Sequence, residues 1–434
     1  MSALSIRFRG ALASLSLADR SKLFDRGRTA DDMVRTTCEA IIDVVRRDGD
    51  AALISLAREY DKARLSSLEV PRPAWREALG SIGPEVRTAM ERAVMNIRRA
   101  HEALRPQASE TYTEPGVLVG RRPDPLRRVG VYAPGGRAAY PSSVLMGVIP
   151  ACAAGVGEVV VCAPPEPSGK PAAVTLAAAE LAGADRVFAV GGAGAIAAMA
   201  YGTQTIPRVD RIVGPGNTYV AQAKLLVSDT VAIDAPAGPS ELLVIADDTA
   251  SAGHVAGEVF AQAEHDPDAA VVVLVVGSDT ADRIGAELQR LIPGQQRRTI
   301  IEAALRDRGA LLVAASLDDA VTFANEFAPE HLLLATADAD KLLDRVRNAG
   351  TVFLGETSSV TFGDYMTGAN HVLPTGGLAR SYSGLSTLDF VRWTTYQRID
   401  RDAAARLAAD VGAFAEAEGL PAHASAARAW RRSP

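Results

Sequence analysis

The chain has 434 residues, 48% of them apolar and 23% charged, with a formal net charge of −6. That length allows two or three domains around a large buried core, and the acidic balance excludes a surface for nucleic acid or anionic lipid. No apolar run approaches a membrane span, and the N-terminus lacks an apolar signal segment, so a cytoplasmic protein handling a small polar substrate is expected.

The first hundred residues read as helical scaffold after a short leader. A run through Cys38, Ile41, Ile42 and Val45 starts at Asp31-Asp32 and ends near Asp48-Gly49. Further helices are expected over Ala51–Tyr60 and from Pro84 to about Leu104. His101, between Arg98, Arg99 and Glu102, is expected to be solvated. From residue 117 onward strands and helices alternate. The strands Val129–Ala133, Glu158–Ala163, Val187–Val190 and Arg211–Val213 are each followed by a helical pattern. Near-continuous apolar strands in such alternation mean a parallel sheet covered on both faces. A second set starts at Leu242, runs through a helix over Ser251–Glu264, and continues with strands at Val271, Ala310, Leu332 and Thr351. From about Ser381 the chain is irregular, then forms two helices, Asp402–Glu418 and Ala422–Trp430. The cysteines (Cys38, Cys152 and Cys162) have no metal spacing and read as reduced core residues, with a catalytic thiol disfavoured.

Glycine turns stand at several strand ends: Gly135-Gly136, Gly191-Gly192-Ala-Gly194 and Gly214-Pro-Gly216-Asn217. Glycine lets the backbone approach a phosphate, and the helix that follows offers free N–H donors. Gly192-Ala-Gly194-Ala-Ile-Ala197 also fits a dinucleotide pattern, with Asp210 in the wrong place for its acidic partner. Tight packing of helix on sheet explains any one turn as well; three together favour a nucleotide.

The polar clusters fall in the second set. Gln262 and His265 share one face of a helix's last turn, a spacing that suits a metal as well as a histidine on the helix dipole. Glu330-His331, after Pro329, places a carboxylate beside an imidazole, a natural acid–base pair. Gly363-Asp364 to His371 reads as a polar loop, and Glu418-Gly-Leu-Pro-Ala-His423 joins the two tail helices. His254 reads as structural. Gln262, His265, Asp364 and His423 would make an N₂O₂ shell for zinc, with manganese or cobalt as alternatives. Since His423 lies on an arm, its donation across a homodimer interface is expected.

These motifs resemble those of histidinol dehydrogenases. Gly214-Pro-Gly-Asn, Ala237-Gly-Pro-Ser-Glu, Gln262-Ala-Glu-His, Pro329-Glu-His and Gly368-Ala-Asn-His-Val-Leu-Pro occur in matching order over nearly the whole chain. The resemblance implies oxidation of L-histidinol to L-histidine through the aldehyde with two NAD⁺, in a homodimer with one Zn²⁺ per subunit. By motif, zinc is held by Gln262, His265, Asp364 and the partner subunit's His423. His331 is implied as general base and Glu330 as activator of the water that adds to the aldehyde. Ser240 and Glu418 would help the metal ligands and His331 hold the amino alcohol, with His371 nearby. Tyr132 and Asn217 would line the NAD⁺ site. One position departs: Gly194 stands where the family usually has glutamine, which predicts retained but weaker NAD⁺ binding.

The fold class expected is therefore α/β: two Rossmann-like parallel-sheet domains with a helical N-terminal region and an extended C-terminal arm, in an intertwined homodimer. The divisions expected are a helical region (1–115) packing with the second α/β domain, a nucleotide-side domain (116–240), a metal and catalytic domain (241–380) and a dimerisation arm (381–434). Competing readings are a relative oxidising another polar alcohol such as a sulfo- or amino-diol, a zinc hydrolase using Glu330 and His331, and a metal-stapled binding protein.

Overall fold

The structure is a computed structural model that describes residues 4–26, 32–135, 139–236 and 238–432; Asp31, Gly136 and Ala237, named above, lie outside these. Where a leader was expected, the chain forms strand β1 (Phe8–Ala11) and helix α1 (Leu17–Phe24), capped by Ser16, whose hydroxyl accepts from the Asp19 N–H. Helices α2 (Asp32–Asp48), α3 (Asp50–Tyr60), α4 (Arg72–Ser81) and α5 (Pro84–Ala103) follow. Two antiparallel strands, β2 (Ser109–Glu114) and β3 (Val117–Pro125), then lead into the first alternating set. It comprises β4 (Arg128–Tyr132), α6 (Pro141–Ala154), β5 (Glu158–Ala163), α7 (Ala173–Ala182), β6 (Arg186–Ala189) and α8 (Gly192–Tyr201), and closes with β7 (Arg211–Val213), α9 (Thr218–Leu226) and β8 (Ala232–Ile233).

The second set begins with β9 (Glu241–Ala246), α10 (Ala252–Ala263), β10 (Ala270–Val276), α11 (Ser278–Leu291), α12 (Arg298–Arg308) and β11 (Gly309–Ala314). It continues through α13 (Leu317–Phe327), β12 (His331–Ala335), α14 (Ala339–Leu343), β13 (Thr351–Leu354) and α15 (Val360–Tyr365). The tail holds β14 (Val391–Ile399), α16 (Arg401–Ala417) and α17 (Pro421–Ala429).

Two parallel sheets result. One has five strands in the order β6-β5-β4-β7-β8, five of the six positions of a dinucleotide-binding sheet; the other has six, β1-β11-β10-β9-β12-β13. A third, antiparallel sheet joins β14 to β3 and β2, so the stretch after Ser381 is less irregular than its sequence suggested.

The N-terminal region divides between the two α/β units. β1 pairs with β11 in the six-stranded sheet, but α2 packs on α8 and α9, α4 on α7, and α5 on α6. The first strand and α1 join the second unit, which α5 also touches where the Asn96 amide donates to the Met366 carbonyl at 2.8 Å, against the expectation that the whole region packs there. The cause lies in α6, α7 and α8. In α8 every residue from Ala193 to Ala200 is buried, so the helix presents no solvent face and requires a second layer over it. The amphipathic α2, α4 and α5 supply that layer. His101 is correspondingly buried at 2% exposure, not solvated, and desolvation lowers its pKa to about 4.

Candidate active site

Parallel strands bring residues together at their ends. β9 starts with Glu241, just after Ser240, and β12 starts with His331, just after Glu330; His331 pairs in register with Leu242. α10 runs back from the far end of β9, so its last turn returns Gln262 and His265 to the same edge. The cluster therefore sits at the amino ends of these strands, opposite to the usual crevice of an open sheet. α13 ends at Phe327, Ala328 after it is held left-handed at φ 51°, and Pro329 follows, so the chain turns sharply before Glu330.

The His331 ring is fixed by one hydrogen bond. Nδ1 lies 2.9 Å from the Glu241 carbonyl oxygen, which can only accept, so Nδ1 carries the proton. Nε2 is left bare and without a hydrogen-bond partner, 3.8 Å from Asp364 Oδ1. Burial lowers the His331 pKa to about 4, aided by the nearby His265 and His371, against the hydrogen bond to Glu241. At neutral pH the ring is an uncharged base. Glu330 Oε2 accepts from the Glu241 N–H at 2.7 Å and lies 3.5 Å from His331 Nδ1. Burial holds its pKa well above the usual carboxylate range, and the Glu241 and Asp364 carboxylates add to that against the Glu241 N–H.

Asp364 is not in a loop, as its sequence suggested, but on the short helix α15. Glu258, one turn before Gln262 on α10, accepts from the Val360 N–H at 3.1 Å and locks α15 to α10. Burial raises the Asp364 pKa to about 7, with Glu258 contributing. His371 Nδ1 lies 2.9 Å from the Asp364 carbonyl oxygen. Gln262 is 4% exposed and its amide nitrogen has no partner. Several buried carboxylates each resisting ionisation, beside neutral imidazoles and an orphaned amide, form a donor set short of positive charge. That set fits a divalent cation together with a cationic substrate.

The arm is placed elsewhere. Glu418 and His423 are exposed, α16 and α17 pack chiefly on each other, and among the described residues no hydrogen bond or ion pair reaches either side chain. Nor is any group of three or more His, Cys, Asp or Glu gathered to hold a metal among the described residues. Gln262 and His265 stand at the end of α10 and Asp364 on α15, while His423 faces outward on the arm.

A second space, a cavity of about 1080 Å³, opens at the carboxyl ends of the five-stranded sheet. Tyr132, Gly135, Gly191, Gly194 and Asn217 line it, so the three glycine turns do converge. Tyr132 and Asn217 also have structural work. The Tyr132 hydroxyl accepts from the Gly192 N–H at 3.1 Å, and the Asn217 side chain caps α9 through the Tyr219 and Val220 N–H groups. Gly214, at φ 114°, is required, because a Cβ there would lie 2.1 Å from the Tyr132 carbonyl oxygen. The buried Lys224–Asp234 pair clamps this turn, Lys224 donating to the Gly214 carbonyl and Asp234 accepting its N–H. Asp210 instead binds the Arg128 N–H away from the cavity, and the lining acids are Asp61 and Glu166. Burial raises the Asp61 pKa to about 6.

The segment that follows α15 is tied to α6 of the first unit. Tyr140, next to the lining residue Ala139, lies within electrostatic reach of Tyr365 on α15, and the Asn370 amide donates to the Met146 carbonyl on α6 at 2.8 Å. Cys162 is buried, its thiol pushed up to about 12, which removes it as a nucleophile.

Known proteins are similar to this chain in sequence and fold. The family model described as histidinol dehydrogenase matches residues 24–431. The chain belongs to the histidinol dehydrogenase family. A histidinol dehydrogenase of Methanosarcina barkeri is 47% identical over 421 residues, 96% of each chain, and that of Natronomonas pharaonis is 49% identical over 417 residues, 95% of this chain and 97% of the other. The crystal structure of histidinol dehydrogenase from Elizabethkingia anophelis superimposes with a TM-score of 0.94 at 33% identity, covering 100% of this chain and 99% of that one. Histidinol dehydrogenases are oxidoreductases, so the hydrolase and binding-protein readings fall away. No described helix is long and apolar enough to cross a membrane.

Gly194 acquires a physical meaning here. A Cβ at this position would meet Leu56 Cδ1 at 3.2 Å and Leu53 Cδ2 at 3.3 Å, so α3 already crowds the space a glutamine side chain would enter. Gly194→Gln alone is expected to cost about 1–3 kcal/mol by overpacking, read as a fall in Tm. Gly194→Gln with Leu56→Ala is expected to recover that loss and tighten NAD⁺ binding in a titration. No gain in affinity from the pair would refute a weakened nucleotide site.

Proposed function

We propose that this protein oxidises L-histidinol to L-histidine through L-histidinaldehyde, reducing two NAD⁺. The observation that carries the reading is the buried, neutral His331, its Nδ1–H tied to the Glu241 carbonyl and its Nε2 bare beside Asp364. As hydride leaves the carbinol carbon, His331 Nε2 takes the hydroxyl proton. Glu330 then draws a proton from the water that adds to the aldehyde, giving the hydrate from which the second hydride departs. Gln262, His265 and Asp364, with His423 of the partner subunit, would hold one zinc ion. Zinc, when bound, supplies positive charge that fixes the substrate's imidazole and amino nitrogens; it need not generate hydroxide. Ser240, Glu418 and His371 would help hold the amino alcohol.

The dinucleotide would occupy the glycine-lined cavity, held through backbone N–H groups around Gly135, Gly191 and Asn217. Two carboxylates and, among the described residues, no lysine or arginine line that space, which favours NAD⁺ over a 2′-phosphorylated nucleotide. The test is a count of NADH formed per histidinol consumed, with and without chelator. The expected ratio is two with NAD⁺, with turnover abolished by chelation, restored by zinc, and much slower with NADP⁺. Turnover of an amino- or sulfo-diol with none of histidinol would sink the substrate assignment, and full activity after chelation would sink the metal.

A further inference from the structure

Glu241, absent from the roles above, has all its polar atoms engaged with the Glu330–His331 pair or its supports. Its N–H donates to Glu330 Oε2 at 2.7 Å and its carbonyl accepts from His331 Nδ1 at 2.9 Å. Its carboxylate returns the exchange. Oε2 accepts from the Glu330 N–H at 3.3 Å and from Arg26, and Oε1 accepts from the Gly376 N–H at 2.6 Å. Arg26 also donates to the carbonyl of Phe327, the last residue of α13, and its guanidinium lies 3.5 Å from that ring's centroid. The side chains of the ion pair are 4% and 2% exposed. Burying two charges is a poor route to stability, since desolvation offsets the attraction and apolar residues of similar volume often do as well. Parallel pairing of β9 with β12 needs no such pair, so a positional task is the better account of it.

We propose that Glu241, clamped by Arg26, is a positioning residue for the oxidation: its main chain aims the Glu330 carboxylate and the His331 ring, and its side chain holds that main chain still. The inference rests on the roles proposed for Glu330 and His331. With its polar atoms engaged, Glu241 has none left for substrate, so its loss should act on turnover and leave substrate binding nearly intact.

Two variants test this: the isosteric Glu241→Gln, and Arg26→Met combined with Glu241→Met, which replaces the ion pair by apolar chains. Both are compared with wild type and with Arg26→Met alone for kcat, KM for histidinol, bound zinc and Tm. Glu241→Gln is expected to keep its zinc and its KM while kcat falls about 100-fold, the scale of a small misplacement of reacting groups. The double variant is expected to regain Tm relative to Arg26→Met without regaining kcat. Recovery of kcat together with Tm would show a merely structural pair and overturn the proposal. So would a zinc-loaded Glu241→Gln whose kcat stays near wild type, or one whose KM rises to account for the loss. Should Glu241→Gln fail to fold, the double variant decides. Wild-type protein silent toward histidinol would overturn the reaction and this proposal with it, an outcome the control shows before any variant is read.

Discussion

Glu330→Gln is expected to stop the reaction halfway. In a single turnover with excess NAD⁺, one NADH should form per histidinol, and the aldehyde should persist long enough for a carbonyl reagent to capture it. Steady-state kcat should fall by about 10²–10⁴, the usual worth of a general base. The amide keeps the acceptor that receives the Glu241 N–H, so the local hydrogen bond survives; what disappears is the ability to take a proton from water. His331→Asn offers the contrast. Its ring is the proposed base, with a bare nitrogen beside Asp364, so its loss should suppress the first NADH as well as the second. Two NADH at a near-normal rate from Glu330→Gln would remove Glu330 from the chemistry, and a normal first burst from His331→Asn would remove His331.

The helices that could be read from sequence are those with clear start and stop signals or a strong stripe. α6 begins at Pro141 and ends before Gly155, which is left-handed at φ 89°, and α13 is capped by Ser316, whose hydroxyl accepts from the Asp319 N–H. α4 escaped because only Trp75 and Ala78 of its residues are buried, too few to set a period. β14 escaped because much of it is exposed, so alternation along it carries little contrast in polarity. His101 was misjudged from its charged neighbours in sequence. On a helix Arg99 and Glu102 lie on other faces, and the stripe Met90, Val94, Ile97, His101 runs at helical spacing into the core.

The histidines of the site were legible because an imidazole beside a carboxylate is rare and carries chemistry. Arg26, Glu241, Glu258 and Asp61 were not. In one dimension they are ordinary charges, three near the ends of helices and strands and Glu258 within α10. Their meaning comes from contacts spanning more than a hundred residues for three of them, such as the pairing of Arg26 with Glu241. Asp364 was named from the sequence, but its place on a helix lay hidden for a local reason. Gly363 looks like a loop residue, yet it is small because a Cβ there would lie 2.6 Å from the Phe353 ring, and α15 packs flush against β13.

Mixing two inactive variants should restore activity if the arm is exchanged between subunits. His265→Ala damages the metal set that a chain supplies to its own site, and His423→Ala damages what it would lend to its partner. A heterodimer of the two carries one doubly damaged site and one intact site, the latter built from the His265 of one chain and the His423 of the other. Random reassociation makes half of the dimers heterodimers, each with one working site, so roughly a quarter of wild-type activity is expected from an equimolar mixture. Each variant alone should stay inactive and zinc-poor. If His423 instead folded back onto its own chain, every site in the mixture would carry a lesion, and no activity would appear. The exposure of His423 and Glu418 and the self-contained packing of α16 on α17 favour exchange, since a histidine lent to a neighbour must stand clear of its own chain. The assay also separates exchange from simple dimerisation, because a dimer without shared sites gives no complementation however tightly it associates.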